Sequence, residues 1–104
     1  MANVLEKIVA DKREEVAARK EALPLDSFKA NLTASEKSLF AALNEPNAGF
    51  IFECKKASPS KGLIRENFDL DEILSAYIPY AAGISVLTDE KYFQGKFEYL
   101  SYVT

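Results

Sequence analysis

The groups best able to do chemistry lie in one run, Glu53-Cys54-Lys55-Lys56-Ala57-Ser58-Pro59-Ser60-Lys61-Gly62. On an extended strand, Glu53 and Lys55 leave the same face about 6.5 Å apart. A charged pair next to Phe50 and Phe52 is expensive unless that face is wet or catalytic. The segment after it offers Ser58, Ser60, Lys61 and Gly62. Hydroxyls, free backbone amides and ammonium groups together suit a phosphate or carboxylate ligand. Each feature has an ordinary explanation. A Glu–Lys pair on an amphipathic edge strand is commonly a solvated face, and Ser-Pro-Ser-Lys-Gly is commonly a turn. Their coincidence at a strand end, ahead of a capped helix, makes them candidates. The chain has no histidine and one cysteine, Cys54. A Cys/His zinc site, a Ser-His-Asp triad and a Cys-His dyad are therefore excluded within it. Chemistry here must run on carboxylates, lysines, hydroxyls and backbone amides.

These residues need elements to position them. Residues 50–55 alternate as a strand, with Phe50, Phe52 and Cys54 on one side and Ile51, Glu53 and Lys55 on the other. Residues 57–62 read as a loop by composition. Asp69 can cap a helix over about 70–80, with Glu72 completing a capping box. Ile73, Leu74 and Tyr77 give that helix its apolar face, and Pro79 disturbs its last turn. Residues 83–88 form a second strand, residues 89–95 a polar loop carrying Tyr92 and Phe93, and residues 97–103 another helix. The two strands start roughly 33 residues apart, which is the size of a parallel βαβ unit. The segment before Gly49 is helical. Residues 2–21 place Leu5, Ile8, Val9, Lys12 and Val16 on one stripe. A short helix follows over 25–32 with Asp26 as a possible N-cap, then a helical turn or two around 38–43.

Length and composition bound the class. The 104 residues carry 48% hydrophobic and 28% charged residues, an ordinary globular composition. Thirteen basic side chains stand against 16 acidic, a net charge of −3, so a strongly cationic nucleic-acid binder is excluded. No apolar run reaches the ~18 residues of a membrane span. The charged N-terminus is no secretory signal, and a cytoplasmic location is expected. Two parallel strands do not make a stable sheet alone.

The run 52–62 resembles the first-strand signature of the indole-3-glycerol phosphate synthases, which places a strand Glu, a Lys two on and Ser-Pro-Ser three further on. Ser85-Val86-Leu87-Thr88-Asp89-Glu90-Lys91-Tyr92-Phe93-Gln94-Gly95 is similar to the family's second signature. Leu5-Glu6-Lys7-Ile8-Val9-Ala10-Asp11-Lys12 resembles its N-terminal extension. The likeness is nearest to the enterobacterial type, in which the synthase is fused to phosphoribosylanthranilate isomerase.

The resemblance implies an α/β fold, the N-terminal part of a (β/α)8 TIM barrel with extra N-terminal helices. Residues 1–48 would be the helical extension and 49–104 the first two βα units, with only the first two barrel strands present. It implies a carbon–carbon lyase of tryptophan biosynthesis. The enzyme converts 1-(2-carboxyphenylamino)-1-deoxyribulose 5-phosphate to indole-3-glycerol phosphate with loss of CO2 and water, without cofactor or metal. Glu53 and Lys55 match catalytic residues: Lys55 supplies positive charge and acts as an acid, and Glu53 orients it and assists proton movement. Ser58 matches a substrate-contacting hydroxyl and Phe93 an aromatic lining the anthranilate pocket. Ser85 and Leu87 would face the barrel interior. The family's principal general acid on the third strand, its glutamate base on the fifth and its phosphate site at the seventh and eighth have no counterpart in these residues. The chain therefore reads as a fragment, inactive and self-associating by itself. A non-catalytic interaction module and another phosphosugar barrel enzyme are the alternatives.

Overall fold

A computed structural model describes residues 3–104. The chain divides into two units, one ending at Glu36 and the other beginning at Lys37.

The first unit is dominated by α1, Val4–Ala22. Its sequence is rich in Ala, Glu, Lys and Arg, which lose little side-chain freedom in a helix. Asn3 caps it, its side-chain oxygen accepting from the Leu5 N–H at 2.9 Å. Glu15 bridges Lys12 at 2.6 Å and Arg19 at 3.2 Å. The Lys12 hydrogen bond, above all, holds the Glu15 carboxyl below its ordinary value. The apolar stripe is in helical register, yet no residue of α1 is buried. Ala2, where the sequence starts the helix, lies outside the described residues.

Residues 25–32 depart from expectation. Two 3-10 turns, Leu25–Ser27 and Lys29–Asn31, replace the α-helix. Phe28, at φ −133° and ψ −4°, breaks the helical path between them. Asp26 lies inside the first turn, and the cap position belongs to Pro24. Pro24 has no side-chain acceptor, and its carbonyl instead receives the Ser27 hydroxyl at 2.6 Å.

The second unit begins with α2, Leu39–Leu43, capped by Ser38 through the Ala41 N–H at 3.0 Å. Strand β1, Ile51–Cys54, follows. Next come β2, Ala57–Ser58, β3, Gly62–Leu63, and α3, Leu70–Tyr77. The unit is completed by β4, Gly83–Val86, α4, Glu90–Phe93, and α5, Phe97–Val103. Strands β1 and β4 are parallel, with Ile51 opposite Gly83, Glu53 opposite Ser85 and Cys54 opposite Val86. This is the α/β order expected from the change of period along the sequence.

Alternation turns Phe52 and Cys54 toward α3. Cys54, Leu70 and Ile73 form the buried cluster, with Phe68, Tyr77, Ile84 and Tyr99 packed against it. Phe52 stacks on Tyr77 with centroids 4.8 Å apart, and on Phe50 at 5.8 Å. Burying these side chains stabilises the unit by roughly 1.5–3 kcal/mol for each that leaves water fully. The Asp69 carboxylate caps α3 by accepting from the N–H groups of Asp71 and Glu72 at 3.0 and 3.4 Å. Glu72 does not complete a capping box; its carboxylate pairs with Arg65 at 3.5 Å. The helix stops at Tyr77, short of residue 80, because Pro79 has no N–H to give the Ser75 carbonyl.

Two segments expected as loops carry regular structure. Residues 57–63 fold into a small antiparallel hairpin, with Ala57 opposite Leu63 and Ser58 opposite Gly62. Gly62 sits at φ +65°, where a side chain would be strained. Residues 90–93 form a helical turn in place of a polar loop, because Asp89 offers its carboxylate to the Tyr92 N–H at 2.7 Å. No helix among the described residues is long and apolar enough to cross a membrane.

Candidate active site

The site grows from the carboxyl end of β1. Phe52 and Cys54 are held down on α3, so the alternate residues must leave the opposite face. There the Lys55 ammonium meets the Glu53 carboxylate at 2.9 Å, with a third and nearly half of the two side chains exposed. Ser85, directly across the ladder from Glu53, is also exposed on this face. From the other side, the Tyr77 hydroxyl donates to the Glu53 backbone carbonyl at 3.2 Å. Helix α3 thus grips the strand at the residue whose side chain carries the charge.

Cys54 lies between the two charged residues and is only 2% exposed. Burial pushes its thiol up, and the Glu53 charge adds to the shift. A neutral thiol facing the core has no part in the charged chemistry of the other face.

Ser58 stands in the hairpin after β1 and is buried. Its oxygen accepts the Lys61 N–H at 3.2 Å and lies 3.4 Å from the Ser60 hydroxyl oxygen. Pro59-Ser60-Lys61 therefore wraps around Ser58, which spends its acceptor on its own turn.

Phe93 ends α4, partly buried, and that turn lies beside β2. The fold thus brings Glu53 and Lys55 into direct contact and sets Phe93 on the element next to the one that holds Ser58. Charge and polar hydrogen-bonding groups collect at the end of β1, and an aromatic ring at the end of β4. Such a surface can bind an anion, move protons and hold a flat ring.

Two residues that shape this region were not singled out by type. By composition Asp89 is only the start of a polar loop, and Gly95 its end. Their signal is the spacing: an Asp three residues before Tyr92 suits a cap, and a Gly closing the run suits a tight return. At Gly95 an added methyl carbon would run into the Leu87 carbonyl oxygen and lie 2.7 Å from the Leu87 carbonyl carbon.

The sequence profile of the indole-3-glycerol phosphate synthases matches residues 5–104. Among curated proteins, the chain is similar to tryptophan biosynthesis protein TrpCF of Vibrio cholerae, 61% identical over 103 residues, covering 99% of this chain and 22% of that protein. It is similar to the TrpCF proteins of Haemophilus influenzae, 52% identical over 105 residues with 98% and 22% covered, and of Salmonella typhi, 54% identical over 104 residues with 100% and 23% covered. The chain spans about 22% of the length of these curated relatives.

Proposed function

We infer the activity from a premise of kinship: this chain belongs to the indole-3-glycerol phosphate synthase family. The full-length protein is proposed to be a cytoplasmic decarboxylating lyase of tryptophan biosynthesis. Its substrate is 1-(2-carboxyphenylamino)-1-deoxyribulose 5-phosphate and its products are indole-3-glycerol phosphate, CO2 and water. Residues 49–104 are proposed as the first two βα units of a (β/α)8 barrel, preceded by a helical extension over 1–48.

The observation that carries this reading is the Glu53–Lys55 pair, in contact at the carboxyl end of a parallel strand. In a barrel that end is where active sites lie. Ring closure forms a carbon–carbon bond to the former ketone carbon, whose oxygen gains negative charge and must take a proton. Lys55 can stabilise that charge and deliver the proton. Loss of CO2 then restores the aromatic electrons; water leaves as the hydroxyl is protonated and the neighbouring ring carbon gives up a proton, whose bonding electrons form the new carbon–carbon double bond. Glu53 holds Lys55 in place and accepts or returns protons in the dehydration. The Ser58 hydroxyl proton serves the substrate's polar groups, and the Phe93 ring faces its aromatic ring.

The test is formation of indole-3-glycerol phosphate by the purified full-length protein, followed by the fluorescence of the indole product. Absence of turnover on this substrate would sink the reading. The 104-residue chain alone is expected at background, since the family's third-strand general acid and fifth-strand glutamate base have no counterpart among its residues. It is also proposed to associate with itself, because Ile51 and Ser85 lie exposed on a sheet of two strands with open edges. Sedimentation equilibrium of that chain at several concentrations should show mass above 11.6 kDa; a single cooperatively unfolding monomer would refute the association.

A further inference from the structure

Helix α4 has four residues, far too few to be stable by its own hydrogen bonds. Something outside it must fix where Phe93 points. The structure shows a double closure around the segment Asp89–Gly95. At its start, the Asp89 carboxylate accepts from the N–H of Tyr92, the residue just before Phe93, at 2.7 Å. At its end, the Gly95 N–H donates to the Asp89 carbonyl at 2.7 Å, tying the two ends of the segment together. Between them Gln94, just after Phe93, turns left-handed at φ 51° and donates its N–H to the Glu90 carbonyl at 3.1 Å.

Phe93 is therefore held from both sides along the chain. The clasp is also seated against the end of β4, because the buried Gly95 passes so close to the carbonyl of Leu87, the residue after that strand, that no side chain fits there. A four-residue turn is thus fixed to the strand behind it and laid beside β2 in front.

We propose that Asp89 and Gly95 are positioning residues that hold the Phe93 ring as the wall of the pocket for the substrate's aromatic ring. This rests on Phe93 forming that wall, as proposed above. Asp89 touches no reacting atom in this scheme. It acts through the Tyr92 N–H, which sets the path of the backbone entering Phe93.

The test uses the full-length protein and the steady-state constants for 1-(2-carboxyphenylamino)-1-deoxyribulose 5-phosphate. Phe93→Ala is expected to raise KM about tenfold. Asp89→Ala is expected to raise KM about threefold or more with kcat within about twofold, because ring placement affects binding of ground and transition states alike. The double variant should be no worse than Phe93→Ala, since a misplaced ring that is already absent costs nothing more. Asp89→Asn, which keeps an acceptor oxygen for the Tyr92 N–H, should return KM to within about twofold of wild type. Glycine is tolerated at caps, so Asp89→Gly replaces Asp89→Ala if the latter does not fold. If KM rises for Phe93→Ala but stays at the wild-type value for the Asp89 variant, or if the two effects add in full, the positioning role is overturned. An unchanged KM in Phe93→Ala instead takes down the pocket assignment beneath it.

Discussion

The two parallel strands end in different ways. Strand β1 runs out into a charged pair in open contact with water, followed by a hairpin wound round a buried serine. Strand β4 runs out into a backbone clasp, closed by a carboxylate cap and a glycine that admits no side chain. The first end concentrates charged and hydroxyl groups, with the Glu53 and Lys55 side chains partly exposed. The second end spends its polar groups on itself and presents a ring. On the proposed reading, the first end serves the chemistry of the site and the second its shape. Substitutions should therefore strike rate at the first and stability or binding at the second.

The largest expected effect lies at the first end. In the full-length protein, Lys55→Ala should lower kcat by about 10² to 10⁴, the range of a lost acid–base group. Lys56→Ala changes net charge equally but leaves the Glu53–Lys55 contact in place, and should stay within a few-fold of wild type. Steady-state kinetics of the two variants decide the matter, and similar losses in both would erase the distinction between the faces.

The second end should answer in stability. Gly95→Ala forces its new methyl carbon toward the Leu87 carbonyl, which is backbone and cannot swing aside. A loss on the order of 2–4 kcal/mol is expected by denaturant titration. An unchanged midpoint would mean that the clasp is not seated on β4.

A smaller effect comes from the core between the two ends. Burial first, and the Glu53 charge second, raise the Cys54 thiol above its ordinary value of 9.0. The unfolded chain then ionises before the folded one does. The thiol's contribution is fully present below the unfolded value and is lost as pH rises through the folded value. The stability advantage of wild type over Cys54→Ala should therefore shrink as pH is raised through the thiol's ordinary value of 9.0 and beyond it. A constant difference across that range would show that the thiol is not held neutral by the core.

The smallest effect has the opposite sign. Gln94 adopts the left-handed conformation that glycine takes at little cost. Gln94→Gly should raise stability by a few tenths to about 1 kcal/mol. A fall in the unfolding midpoint would show that the glutamine side chain, rather than the backbone turn, holds the end of α4.

The end of β1 was more legible in the sequence than the end of β4. Strict alternation fixes which side Glu53, Lys55 and Cys54 take, so their separation into a charged face and a buried one follows from period alone. The order of strand, helix and strand was legible for the same reason, as was the Asp69 cap. The clasp was not, because polar composition says nothing of closure; the Asp89 carbonyl receives the Gly95 N–H only after the chain has turned back at Gln94. The hairpin at residues 57–63 was hidden likewise, with two ladder positions too few to leave a pattern. Residues 25–32 misled in the other direction. Leu25, Phe28 and Leu32 have helical spacing, but Pro24 supplies no cap and Phe28 leaves the helical path. A single helix with no buried face, α1, was readable at once because its support is local: neighbouring charges and good helix formers.

The parallel ladder between β1 and β4 also dictates an order of events as the chain folds. Glu53 meets Ser85 only after the roughly thirty residues between them have closed a loop. The hairpin and the capped helix α3 close over far shorter spans and need not wait. Helix α3 carries Leu70, Ile73 and Tyr77, the side chains that receive Cys54 and Phe52, so once formed it is a ready template on which both strands can land. The Tyr77 hydroxyl, bonded to the Glu53 carbonyl, would mark β1 as the strand to land first.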